Sequence, residues 1–158
     1  MRILGARLSI LCVLLMLLAA VSLFASAPSA DSFTAFDKYG NLCWEDEKAR
    51  LDNFAIQLQR NSSKPRGFII VAAGRSSCTN EANYRAKRAK DYLVKLGVSS
   101  DRVVIRDVGF EDEVATELWV VPTGSPFPEA KGNLKNTEVS IHKCVGKVFA
   151  SVLCPNQK

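Results

Sequence analysis

The chain has 158 residues, 47% of them hydrophobic and 23% charged, a balance that excludes disorder as the state of the whole protein. That length holds one compact domain plus appendages and leaves no room for a second independent core. The net charge of +5 is unevenly spread: residues 1–30 carry +2, residues 31–125 are neutral, and residues 126–158 carry +3. A neutral central region has no overall field for a polyanion, so nucleic acid is not an expected partner.

Arg2 and Arg7 precede a charge-free stretch from Leu8 to Ala27 that ends in small residues and Pro28. This layout predicts a secretory signal peptide over residues 1–30, or an uncleaved signal anchor in which residues 8–27 tether the protein to a membrane. Ala25-Ser26-Ala27 fits the small-residue rule for cleavage, and a cut after Ser29 competes because Pro28 follows Ala27. Cys12, after Leu11, lies too early to read as a lipidation site. Either outcome places residues 31–158 outside the cytoplasm, in the periplasm or cell envelope. Cys43, Cys78, Cys144 and Cys154 then form an even set exposed to oxidation, with three possible pairings. The absence of any C-x-x-C pair and the single histidine, His142, give no pattern for a metal site or for dithiol chemistry.

Phe33 to Asp37 reads as a first strand, closed by the turn signal Lys38-Tyr39-Gly40-Asn41. From Glu45 to Arg60, Leu51, Phe54, Ala55 and Leu58 fall at i, i+3, i+4 and i+7 behind three acids, which predicts an amphipathic helix. Asn61-Ser62-Ser63-Lys64-Pro65 stops it; Asn61-Ser62-Ser63 is a sequon by pattern only. Phe68 to Ala72 is apolar without alternation, as in a strand covered on both faces. A second helix is expected from Asn80, read as its N-cap, to Gly97, with Ala82, Ala86, Ala89, Leu93 and Leu96 inward. Its other face is basic, with Arg85, Lys87, Arg88, Lys90 and Lys95. Arg102 to Val108 and Glu117 to Val121 read as strands, joined through an acidic connector containing Asp112 and Glu113. Thr123 to Pro128 marks a linker, and the segments Glu138–Ile141 and Val145–Leu153 stay unassigned. The order β-α-β-α-β-β predicts a two-layer α/β sandwich with the first two strands parallel.

The segment Arg85-Ala86, Asp91-Tyr92-Leu93, Gly97-Val98, Asp101-Arg102-Val103 and Gly109 resembles the OmpA-like, peptidoglycan-associated domain over roughly residues 33–122. The stretches EDEKARLDNFAIQLQ, RAKDYLV and ELWVVP are similar to those of uncharacterised bacterial envelope proteins with a divergent form of that domain. The resemblance implies an OmpA-like domain at residues 31–125 followed by a linker and basic, cysteine-containing tail at 126–158. It also implies a site in which an Asp after the second strand and an Arg early in the second helix hold the diaminopimelate of a peptidoglycan stem peptide. By spacing Arg85 matches that arginine, with Arg75 and Arg88 nearby. The family's Asp has no counterpart in Ala72-Ala73-Gly74-Arg75-Ser76-Ser77-Cys78.

In this arrangement Cys43 and Cys78 follow parallel neighbouring strands, so a Cys43–Cys78 bridge is expected, with Cys144–Cys154 as the second. Trp44 and Trp119 read as core-covering residues, Trp44 with a possible glycan contact at the binding edge. The expected function is that of a non-enzymatic, cofactor-free envelope protein that associates with peptidoglycan or with another envelope protein. The alternative is a disulfide-stabilised interaction module that has lost peptidoglycan binding.

Overall fold

The computed structural model describes residues 34–144. The signal or anchor segment, Phe33, the stretch Val145–Leu153 and Cys154 lie outside the described residues. Among the described residues no helix is long and apolar enough to cross a membrane.

The elements run β1 (Asp37–Tyr39), α1 (Trp44–Arg60), β2 (Arg66–Ala73), β3 (Ser76–Cys78), α2 (Glu81–Lys95), β4 (Val103–Phe110), β5 (Ala115–Val121) and β6 (Ser140–His142). The first strand begins only at Asp37 and runs into the expected turn, because its pairing with Thr116–Leu118 of β5 extends through Tyr39. The main sheet has the order β1-β5-β2-β4, and β3 pairs with β6 in a separate two-stranded ribbon. The protein is thus mixed α/β, with two helices and a mixed sheet. β2 and β4 are parallel because α2 carries the chain back over the sheet between them. β5 is antiparallel to both β2 and β1, so β1 and β2 point the same way without being neighbours.

Both helices cover one face of the sheet. Leu51, Phe54 and Leu58 of α1 and Ala82, Ala86, Ala89 and Leu93 of α2 are buried with Ile69, Val71, Val103 and Leu118. Each large apolar side chain so buried contributes about 1.5–3 kcal/mol. The small residues of α2 let its backbone lie close to β2 and β4. The helix ends at Gly97, whose φ of 89° suits glycine, with Val98 N–H donating to the Leu93 carbonyl.

The opposite face of β2 carries Phe68 and Ile70, buried with Val121. Among the described residues no helix covers this side. Phe127 meets Phe68 edge to face at 5.4 Å, and Ala130 packs on the same cluster. The chain then runs along the edge of β4, where Gly132 N–H donates to the Val108 carbonyl and Leu134 N–H to the Phe110 carbonyl. A side chain at Gly132 would sit 2.5 Å from the Phe110 carbonyl oxygen, so this approach requires glycine. The Gly- and Pro-containing stretch that reads as a linker thus leads into a strap across the sheet.

Candidate functional site

The carboxyl ends of β2 and β4, the ribbon β3–β6 and the start of α2 meet at one rim, where the resemblance places a ligand. Asn80, expected to cap α2 with its side chain, instead has φ 60° and makes no side-chain cap. Glu81, the first residue of α2, ties the end of β3 to the helix. Its Oε2 accepts the Cys78 N–H at 3.0 Å, and its Oε1 accepts from Arg85 Nε at 2.9 Å. Arg85 also donates through Nη2 to Asn41 Oδ1 at 2.9 Å. The Glu81 and Arg85 side chains are only 10% and 11% exposed. The guanidinium that the resemblance assigns to a ligand is therefore engaged by a carboxylate four residues earlier on its own helix and by the loop after β1.

Arg75 lies on the outer side of the rim. Its Nη2 meets Asp112 Oδ1 at 2.5 Å and its Nη1 donates to the Glu138 carbonyl at 3.2 Å. The acidic connector crosses the end of β2 here, with Glu111 N–H donating to the Ala73 carbonyl. Asn41, Arg75, Ser76, Asp112 and Glu113 line an open cavity of about 440 Å³. Asn41 is the link between Arg85 and this cavity.

Arg88 is directed elsewhere. It stacks over the Trp44 ring, 4.3 Å from its centroid, and donates to Glu47 Oε2. Glu47, 3% exposed, also accepts the Tyr39 hydroxyl at 3.3 Å. Burial, reinforced by the Glu47 carboxylate, holds the Tyr39 phenol well above its ordinary pKa. Arg50 completes the cluster, bound to both carboxylate oxygens of Asp37 at 2.8 Å and lying over the Tyr39 ring. Among the described residues Arg75 pairs with Asp112, Arg85 with Glu81 and Arg88 with Glu47.

The disulfides correct the expected pairing. Cys78 is bonded to Cys144, with Cα atoms 5.5 Å apart, and not to Cys43. Two features of the topology account for this. β5 separates β1 from β2, and Cys78 belongs to β3, whose parallel partner β6 delivers Cys144 two residues past its end. Cys144 is therefore not available to Cys154. Cys43 is disulfide-bonded as well.

The remaining singled-out residues take structural places. His142 is exposed on β6, with Nε2 3.2 Å from Ser76 Oγ. Trp119 donates to Glu117 Oε2 at 3.0 Å and packs on the strap-side cluster, while Trp44 meets Tyr92 edge to face. Among the described residues no group of three His, Cys, Asp or Glu side chains is placed to hold a metal ion. Glu47 and Glu81 are the site residues the sequence reading passed over. A signal exists for Glu47, which is in phase with Leu51, Phe54 and Leu58 on the buried stripe of α1. Glu81 stands four residues before Arg85, the spacing of a helical ion pair. No protein-family model, curated protein or solved structure matches the chain.

Proposed function

We propose that this is a non-enzymatic, exported protein of the cell envelope, built on a divergent OmpA-like domain, that associates with another envelope component by surface contacts instead of clasping a peptidoglycan stem peptide. One observation carries the reading: Glu81 and Asn41 already occupy Nε and Nη2 of Arg85, so a ligand carboxylate clasping that edge would have to displace Glu81 in a mostly buried place. Disulfide-bonded Cys43, Cys78 and Cys144 accord with an oxidising compartment, as does the Arg2 and Arg7 leader with its apolar stretch. Export or anchoring through residues 8–27 belongs to the same proposal.

A second reading draws on the same pair. Glu81 and Arg85 set a carboxylate beside a guanidinium, the two charges that the amine and carboxylate of diaminopimelate would need. Sedimentation with purified sacculi separates the two. The first reading expects the wild-type protein to stay in solution, as does Arg85→Ala. Retention of the wild type, relieved by soluble muropeptides and lost in Arg85→Ala, would establish the second.

A further inference from the structure

We infer that the end of the main sheet opposite the rim is a docking surface for an anionic membrane, with Phe127 laid among the lipid headgroups between Arg66 and Arg106. Residues 31–125 sum to zero charge, but the fold does not leave that charge evenly spread. β2 and β4 both begin at this end, with Gly67 opposite Val103, and α1 and α2 both finish there, where Gln59 Nε2 donates to the Leu96 carbonyl at 2.8 Å. Arg60, Lys64, Arg66 and Arg102 fall here by their places in or beside those elements, with Asp101 among them and Arg106 further along β4. The acidic run Glu111-Asp112-Glu113 lies at the other end, between β4 and β5. A charge separation of this kind orients a molecule in a field even when its charges cancel.

Most of these cations have no carboxylate. Arg102 donates to the carbonyls of Leu58 and Pro65 and so serves the end of α1. Among the described residues Arg60, Lys64, Arg66 and Arg106 take part in no ion pair. Of the acids on this side of the sheet, Glu117 is bound by Lys38 and Trp119, and Glu129 follows Pro128, whose carbonyl accepts from Arg106. Phe127 is 51% exposed, and the guanidinium carbons of Arg66 and Arg106 each lie 5.4 Å from its ring centre. A half-exposed ring flanked by two guanidiniums suits a bilayer surface, where the ring enters the headgroup layer and the guanidiniums meet phosphates. An acidic protein surface would answer the charges; the exposed ring between them favours lipid.

Lys64 adds an independent observation. Its φ is 50°, in the left-handed region that glycine or asparagine adopts at lower cost. It closes the turn Asn61-Ser62-Ser63-Lys64, and its carbonyl accepts from Thr123 at the start of the strap, which sets the exposed lysine beside Arg66 and Phe127 in the same corner. The turn itself would form more readily with glycine, so the lysine is accounted for by what its charge contacts.

Lysine acetylation of the full exported chain, read by peptide mass spectrometry, tests the surface. Mixed phosphatidylglycerol and phosphatidylcholine vesicles at low salt should slow acetylation of Lys64 and leave Lys48 and Lys135 unchanged, and phosphatidylcholine vesicles alone should shield none of the three. Arg66→Gln and Arg106→Gln should each raise the concentration of anionic vesicles needed to shield Lys64 about fivefold. Lys64→Gly should leave the melting temperature no lower than that of the wild type; a clear drop would show that the lysine serves the turn and overturn its assignment to the surface. Equal acetylation of Lys64 with and without the anionic vesicles would overturn the inference, and shielding by soluble polyglutamate alone would replace the membrane with an acidic protein. The inference deepens the surface-association reading and rests on it: retention of the wild type on sacculi would sink that reading, whereas an unshielded Lys64 would sink the membrane contact alone.

Discussion

The two faces of the central sheet are covered by different means. On one, α1 and α2 bury Leu51, Phe54, Leu58 and Leu93 against β2, β4 and β5. On the other, an irregular strap lays Phe127 and Ala130 over Phe68. The helix side also holds the buried polar cluster of Tyr39, Glu47 and Arg88, whereas the strap side relies on aromatic contact and two backbone bonds to β4. The helix face buries more large apolar side chains than the strap face and should contribute more to stability.

Truncation should expose that inequality. Phe54→Ala removes a ring with no exposure and should lower the unfolding free energy by about 4 kcal/mol in denaturant titration. Phe127→Ala, at a ring 51% exposed, should cost about 1 kcal/mol by the same measurement. Equal losses at the two positions would remove the distinction between the faces.

Alkaline pH should separate the faces by a smaller margin. The folded Tyr39 phenol keeps its proton above the ordinary tyrosine value of 10.0, whereas the unfolded chain releases it there. Its contribution is therefore complete below about pH 10 and declines as the pH rises further, because the native state then binds more protons than the unfolded one. Stability measured between about pH 8 and pH 11 should fall less steeply for Tyr39→Phe than for wild type.

The legibility of the sequence follows the same division. The helix Glu45–Arg60 and the strands around Phe68–Ala72 and Glu117–Val121 announce themselves through periodic or continuous apolar runs, and they reappear as α1, β2 and β5. The doubly covered character of β2 was also visible in its lack of alternation. What covers its second face was not, since Pro126-Phe127-Pro128 and Gly132 have no repeating pattern and owe their place to one ring contact and one close backbone approach. β3 and β6 are three residues each, too short for a period, so the Cys78–Cys144 pairing they create could not be chosen from three connectivities. At the rim, the position of Arg85 early in α2 was legible from the helical pattern. Its closure was not, because it depends on Asn41 arriving from a loop 44 residues away.

Arg85, held by Glu81 and Asn41, closes the rim between α2 and the loop after β1. A double-mutant cycle on Glu81→Ala and Arg85→Ala, read by denaturant unfolding, measures it directly. The two losses should fall short of adding, with a coupling of about 1–2 kcal/mol. Losses that add within about 0.3 kcal/mol would show two independent side chains, and Arg85 would then be a guanidinium available to a ligand.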